Sequence, residues 1–175
     1  GDFGINTALL AEGVNFGNAD VALRAFDDII EKLRSLPDPF PVIRLMCCDA
    51  LNTVIRHSQR QNLELDVSVL AKTAEFSSLD EFEHNAKTFI ADICARTNKK
   101  RMLDDLAMRS SVISFINKNY KRNDFSLKML SSEMNMSMSK INSLLKEDLG
   151  CSFIQYVTTL RLNEVKRLLR ETDEN

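Results

Sequence analysis

The chain has 175 residues, 44% of them hydrophobic and 27% charged, with only 5 Gly and 3 Pro, which is enough to bury one or two ordinary cores. That composition excludes disordered, collagen-like and disulfide-dense chains, and the longest uncharged run, the 12 residues from Leu149 to Leu160, falls short of the roughly 17 apolar residues of a membrane span. The formal charge of -2 divides unevenly: residues 1–95 carry 8 Lys+Arg against 15 Asp+Glu, and residues 96–175 carry 15 against 10, which places any polyanion-binding surface in the rear half.

Nearly every segment repeats at the helical period and none alternates as a strand would, so the fold class expected is all-α. The first clear helix is predicted from about Asp20 to Ser35, with Ala22, Phe26, Ile29, Ile30 and Leu33 on one stripe. Three prolines between Pro37 and Pro41 stop it, and Pro41 suits the first turn of the next helix, whose stripe is Ile43, Met46, Cys47, Ala50 and Val54. A short segment follows at Val67 to Thr73. Ser78-Leu79-Asp80-Glu81 then reads as a capping box ahead of Phe82, Ala86, Phe89, Ile90 and Ile93. The basic Arg96, Lys99, Lys100 and Arg101 are expected beyond the end of that helix, where they would complement its dipole. The polar stretch from Thr97 to Arg101 is either a domain boundary or a turn inside one long connecting helix; residues 1–97 and 98–175 are taken as the two parts.

Beyond Val112 the pattern becomes specific. A helix with Val112, Phe115, Ile116 and Tyr120 on one face gives way to a polar break at Lys121 to Asp124. Ser126 caps a short helix whose Leu127, Leu130 and Met134 face inward, Asn135 suits a left-handed helix end, and Ser137 caps the next helix two residues later. With Gly150 as the following stop, this is the outline of a helix-turn-helix. On its second helix Ile141, Leu144 and Leu145 lie on the packing side. Ser139, Asn142, Ser143 and Lys146 project the other way, where hydroxyls and an amide can bond base edges and a lysine can meet phosphate. The bland alternative for that face is a solvated polar stripe.

These residues carry a resemblance. The stretch Ile116 to Tyr120, then Phe125-Ser126-Leu127, Met136-Ser137, Leu144-Leu145-Lys146, Gly150 to Phe153, Tyr156-Val157, Leu160-Arg161 and Leu168-Leu169 resembles the first half of an AraC-type DNA-binding domain. The resemblance implies that Ser137 to Leu149 is a recognition helix and that Phe153 opens the long helix linking two helix-turn-helix motifs. It implies base contacts from Ser139, Asn142 and Ser143, and contacts to the DNA backbone from Ser137, Lys140 and Lys146. Ser143 departs from the arginine that family members often carry, so the motif is expected to read DNA weakly or to read a different base. Ser131 stands where the family usually has alanine, and Arg161 is expected to hold a structural ion pair. Residues 13–95, in particular Ala19 to Leu36 and Arg44 to Arg56, resemble the helical cytoplasmic segment that precedes the DNA-binding domain in some membrane-anchored sensors of this type.

The function expected is therefore a sequence-specific transcriptional regulator that reads double-stranded promoter DNA in the major groove. It is expected in the cytoplasm, or as the cytoplasmic part of a membrane-anchored regulator with an upstream sensor. Paired half-sites would add affinity that one weak motif lacks, which points to a homodimer. Because the chain opens on Gly1 without a leader and stops at Asn175, where the family continues into a second motif, it reads as an internal piece of a longer protein. The alternative is a helical protein-interaction or signal-relay module. No catalytic residue, metal ligand or cofactor is expected: His57 and His84 lack partners at catalytic spacing and are expected on helix surfaces, the glycines are scattered, and Cys47, Cys48, Cys94 and Cys151 read as reduced small hydrophobes.

Overall fold

A computed structural model describes residues 6–37 and 39–173; Gly1 and Asn175, on which the reading of a fragment turns, lie outside the described residues, as does Asp38 in the proline break. The described residues form eight helices and no strand: α1 (Ala8–Phe16), α2 (Ala19–Ser35), α3 (Phe40–Arg60), α4 (Val67–Ala74), α5 (Leu79–Asn119), α6 (Leu127–Met134), α7 (Met138–Leu149) and α8 (Phe153–Asp173). The fold is all-α. None of these helices is long and apolar enough to cross a membrane. Two compact units divide between Met102 and Leu103, inside α5.

In the first unit the apolar stripe of α2 is buried from Ala22 to Leu33 against Leu10 and Val14 of α1, Cys47, Ala50, Leu51 and Val54 of α3, and Phe82 to Cys94 of α5. The Phe82 ring lies tilted against Phe76, centroids 4.7 Å apart, and 5.9 Å from Phe26. The start of α2 passes so close to α1 that only glycine fits at Gly13, where a Cβ would stand 2.4 Å from the Ala22 nitrogen. Burial pushes the Cys47 thiol up to about 12 and the Cys94 thiol up to about 11, which keeps both protonated and unreactive at neutral pH. The capping box at Ser78 is shifted by one residue in its return arm. The Ser78 hydroxyl accepts from the Glu81 N–H at 3.2 Å, but the Glu81 carboxylate accepts from the Ser77 N–H and hydroxyl at 2.9 and 2.8 Å.

Two expectations need correction here. The helix that starts at Leu79 does not end near Arg96; it runs on to Asn119, so the basic run lies within the helix and not past its end. Two of its cations serve other helix ends, and a third holds the connection between α3 and α4. Arg101 Nη1 donates to the carbonyl of Phe16, the last residue of α1, at 2.7 Å, Lys100 Nζ donates to the carbonyl of Gln61, which caps α3, and Arg96 donates to Glu64 O. A cation on the last carbonyls of a helix satisfies orphan acceptors and the negative end of its dipole.

The second correction concerns His57, which is 3% exposed while His84 is on the surface. Asn15 Oδ1, 2.6 Å from Nδ1, can only accept, so Nδ1 carries the proton and Nε2 accepts from the Thr97 hydroxyl at 3.1 Å. Desolvation, helped by Arg60, holds the imidazole pKa below its ordinary 6.5. A base with a depressed folded pKa binds its proton more readily when unfolded, so the stability it lends is complete above about pH 6.5 and drains away as pH falls below it. Thermal melts between pH 7.5 and 5 are expected to show the midpoint of wild type dropping more steeply than that of His57→Gln; parallel curves would remove His57 from the pH response.

The second unit is built on Val112 and Ile116 of α5, Phe125, Leu130 of α6, Ile141, Leu144 and Leu145 of α7, and Phe153 and Val157 of α8. Phe125 bridges Phe115 at 6.1 Å and Phe153 at 5.4 Å.

Candidate nucleic-acid interface

The α6–α7 corner is set by Ser126, Asn135, Ser131 and Ser137. Ser126 opens α6, its hydroxyl accepting from the Met129 N–H at 3.2 Å. Asn135 closes it at φ 51°, ψ 44°, with the Asn135 and Met136 N–H groups bonded to Ser132 O and Ser131 O at 3.4 and 3.1 Å, the paired bonds of a Schellman end. The Ser131 hydroxyl donates to Met136 O; a serine where the resemblance leads one to expect alanine thus pins the turn as well as sparing space. Three residues after α6 ends, Ser137 caps α7, accepting from the Lys140 N–H at 3.1 Å. α7 ends at Gly150, whose φ of 71° suits glycine.

Ile141, Leu144 and Leu145 are buried, whereas Ser139, Lys140, Ser143 and Lys146 are exposed. Ser139, Asn142, Ser143 and Lys146 share a groove of about 360 Å³ with Cys151, Ser152 and Gln155. Lys140 is exposed on the same helix. Ser137 keeps its hydroxyl proton to donate, although its oxygen is engaged as a cap. Asn142 departs from the expected solvent-facing residue: it is half-buried and its Oδ1 accepts from the Phe153 N–H, the first of α8, at 3.0 Å.

Reasoning from residue types missed Ser152 and Gln155. Their spacing is a capping box, and they form one: Ser152 Oγ accepts from the Gln155 N–H at 3.3 Å and Gln155 Oε1 from the Ser152 N–H at 2.9 Å. Arg161 was expected in an ion pair. It instead donates to the carbonyls of Tyr120 and Arg122 at 2.7 and 3.0 Å, closing the chain just past the end of α5.

The charge of this unit is smaller than that of the rear half of the sequence. From Leu103 on there are 11 Lys+Arg against 10 Asp+Glu, because Arg96, Lys99, Lys100 and Arg101 belong to the first unit. Several of these cations are held. Arg109 meets Asp105, Glu147 and Asp148 at 2.8, 2.9 and 2.7 Å, and these carboxylates raise its pKa. Lys121 and Arg167 share Glu164, and Arg122 meets Asp124. Lys140 and Lys146 make no ion pair among the described residues. Among those residues, too, no group of three or more His, Cys, Asp or Glu could hold a metal ion.

No known family model, curated protein or solved structure matches the chain.

Proposed function

We propose that the second unit binds double-stranded promoter DNA as part of an AraC-type transcriptional regulator, with α7 entering the major groove and α6 crossing behind it. One observation carries the reading. The outward face of α7 bears exposed Ser139, Ser143, Lys140 and Lys146, with both lysines outside any ion pair among the described residues, while Arg109, Lys121, Arg122 and Arg167 are tied to carboxylates. Lysines left unpaired beside small polar groups suit phosphate contact flanking base readout. On this reading the protein acts in the cytoplasm as a homodimer, and the first unit relays a signal from an upstream sensor.

The competing reading, a helical protein-interaction module, draws on the net charge of +1 from Leu103 on and on exposed Leu162, Val165, Leu168 and Leu169 of α8. Salt separates the two. Phosphate contacts from the two lysines, Lys140 and Lys146, give a log–log slope of affinity against salt of about -2, at about -0.9 per phosphate neutralised, and the uncharged Ser137 adds nothing to it. Lys146→Ala is expected to weaken binding to all duplexes alike and to reduce that slope by about 1, read by fluorescence anisotropy of labelled duplexes. An unchanged slope and affinity in Lys146→Ala would remove α7 from the interface.

A further inference from the structure

The two amide side chains of the groove are both held by their oxygen. Asn142 Oδ1 accepts from the Phe153 N–H at 3.0 Å, and Gln155 Oε1 accepts from the Ser152 N–H at 2.9 Å. A backbone N–H is a donor only, so in each amide the oxygen faces the start of α8 and the NH2 group points elsewhere. Asn142 Nδ2 has no hydrogen-bond partner among the described residues. It is also reached by solvent, because among the described residues no buried side-chain nitrogen or oxygen lacks a partner and Asn142 lines the open groove with Ser139, Ser143 and Lys146. Asn142 therefore turns two free N–H donors to a ligand, while its oxygen already holds one hydrogen bond and faces the start of α8.

This polarity favours one kind of base edge, since adenine N7 and thymine O4 give a donor group a single acceptor. An asparagine reads adenine by giving a hydrogen bond to N7 and taking one from the N6 amino group, which needs both ends of the amide. Swinging the Asn142 oxygen round to sit beside its nitrogen on a base edge would orphan the Phe153 N–H at a helix start. Guanine shows two acceptors side by side, O6 and N7, and asks for donors alone. Resting on the DNA reading above, we propose that Asn142 is a specificity-determining residue that selects guanine in the major groove, through Nδ2 donating to O6 and N7, with its oxygen retained as the cap of α8.

The test uses this chain, a pool of randomised duplexes and 7-deazaguanine, which lacks the N7 acceptor. Selection with wild type is expected to yield a guanine whose preference is lost in Asn142→Asp, a variant that keeps an acceptor for the Phe153 N–H but has no donor. Replacing that guanine by 7-deazaguanine is expected to weaken wild type by about fivefold or more and to leave Asn142→Asp unaffected. Circular dichroism checks that the variant folds; if it does not, substituting 7-deazaguanine at each selected guanine in turn decides the matter with wild type alone. An adenine at the Asn142-dependent position, or indifference of wild type to 7-deazaguanine at every selected guanine, overturns the inference and leaves DNA binding standing. Retention of no duplex at low salt overturns both.

Discussion

Gly13→Val is expected to unfold the first unit at concentrations of urea that leave wild type intact. A side chain at this position meets main chain: a Cβ would lie 2.4 Å from the Ala22 nitrogen, 2.7 Å from its Cα and 2.9 Å from its Cβ. No rotamer change relieves a contact with backbone, so α1 must back away from α2 and withdraw Leu10 and Val14, both fully buried. Overpacking costs about 1–3 kcal/mol, and each aliphatic side chain returned to water adds about 1.5–3 kcal/mol; the total outweighs the roughly 0.5 kcal/mol that valine gains over glycine in helix propensity. The chain supplies its own control. It has no Trp and two Tyr, Tyr120 and Tyr156, both beyond Leu103, so tyrosine emission reports the second unit alone while far-ultraviolet circular dichroism reports both. The variant should lose an early share of helical signal with an unmoved tyrosine transition. Gly150→Ala, which meets nothing within 4 Å but holds φ at 71°, should cost only about 1–2 kcal/mol. Equal stability of Gly13→Val and wild type would mean that α1 does not pack on α2 as described.

Leu145→Ala should do the converse. Leu145 is fully buried beside Leu130, Ile141 and Val112, and truncating such a leucine costs about 2–5 kcal/mol. A unit of this size has about 5 kcal/mol to lose, so the tyrosine transition should shift to far lower urea while the circular dichroism of the first unit persists. Lys146, the next residue, is exposed on the outer face of α7, and its alanine variant should stay within about 0.5 kcal/mol of wild type. If the neighbouring substitutions had equal effects, the assignment of inner and outer faces on α7 would be wrong.

The helices that bury a stripe were legible because their period is local. α2 and α3 begin within a residue of the expected positions, and Ser126, Asn135, Ser137 and Gly150 end or cap the helices that their chemistry implied. α1 was not foreseen, since nine residues with an internal glycine present little periodic signal and gain their place only through the close approach to Ala22. The polar run at Thr97 to Arg101 looked like an interruption for a related reason. Thr97 is buried because His57 meets its hydroxyl, and the lysine and arginine side chains reach carbonyls of α1 and α3; polarity satisfied by a distant element cannot be told from polarity facing water. Within the candidate interface the outer residues of α7 followed from spacing, but the engagement of Asn142 with the start of α8, eleven residues on, depends on tertiary geometry.

Between Thr97 and Val112 no residue of α5 is fully buried, and from Met102 to Ala107 every side chain is exposed. Opening a turn there uncovers no core surface, so only the helix's own hydrogen bonds and the Asp105–Arg109 ion pair resist it. Backbone amides in that stretch are therefore expected to exchange with solvent through local opening, ahead of the amides held by either core. The same stretch should let the two cores melt as separate cooperative units although one helix contributes to both, with neither obliged to unfold when the other does.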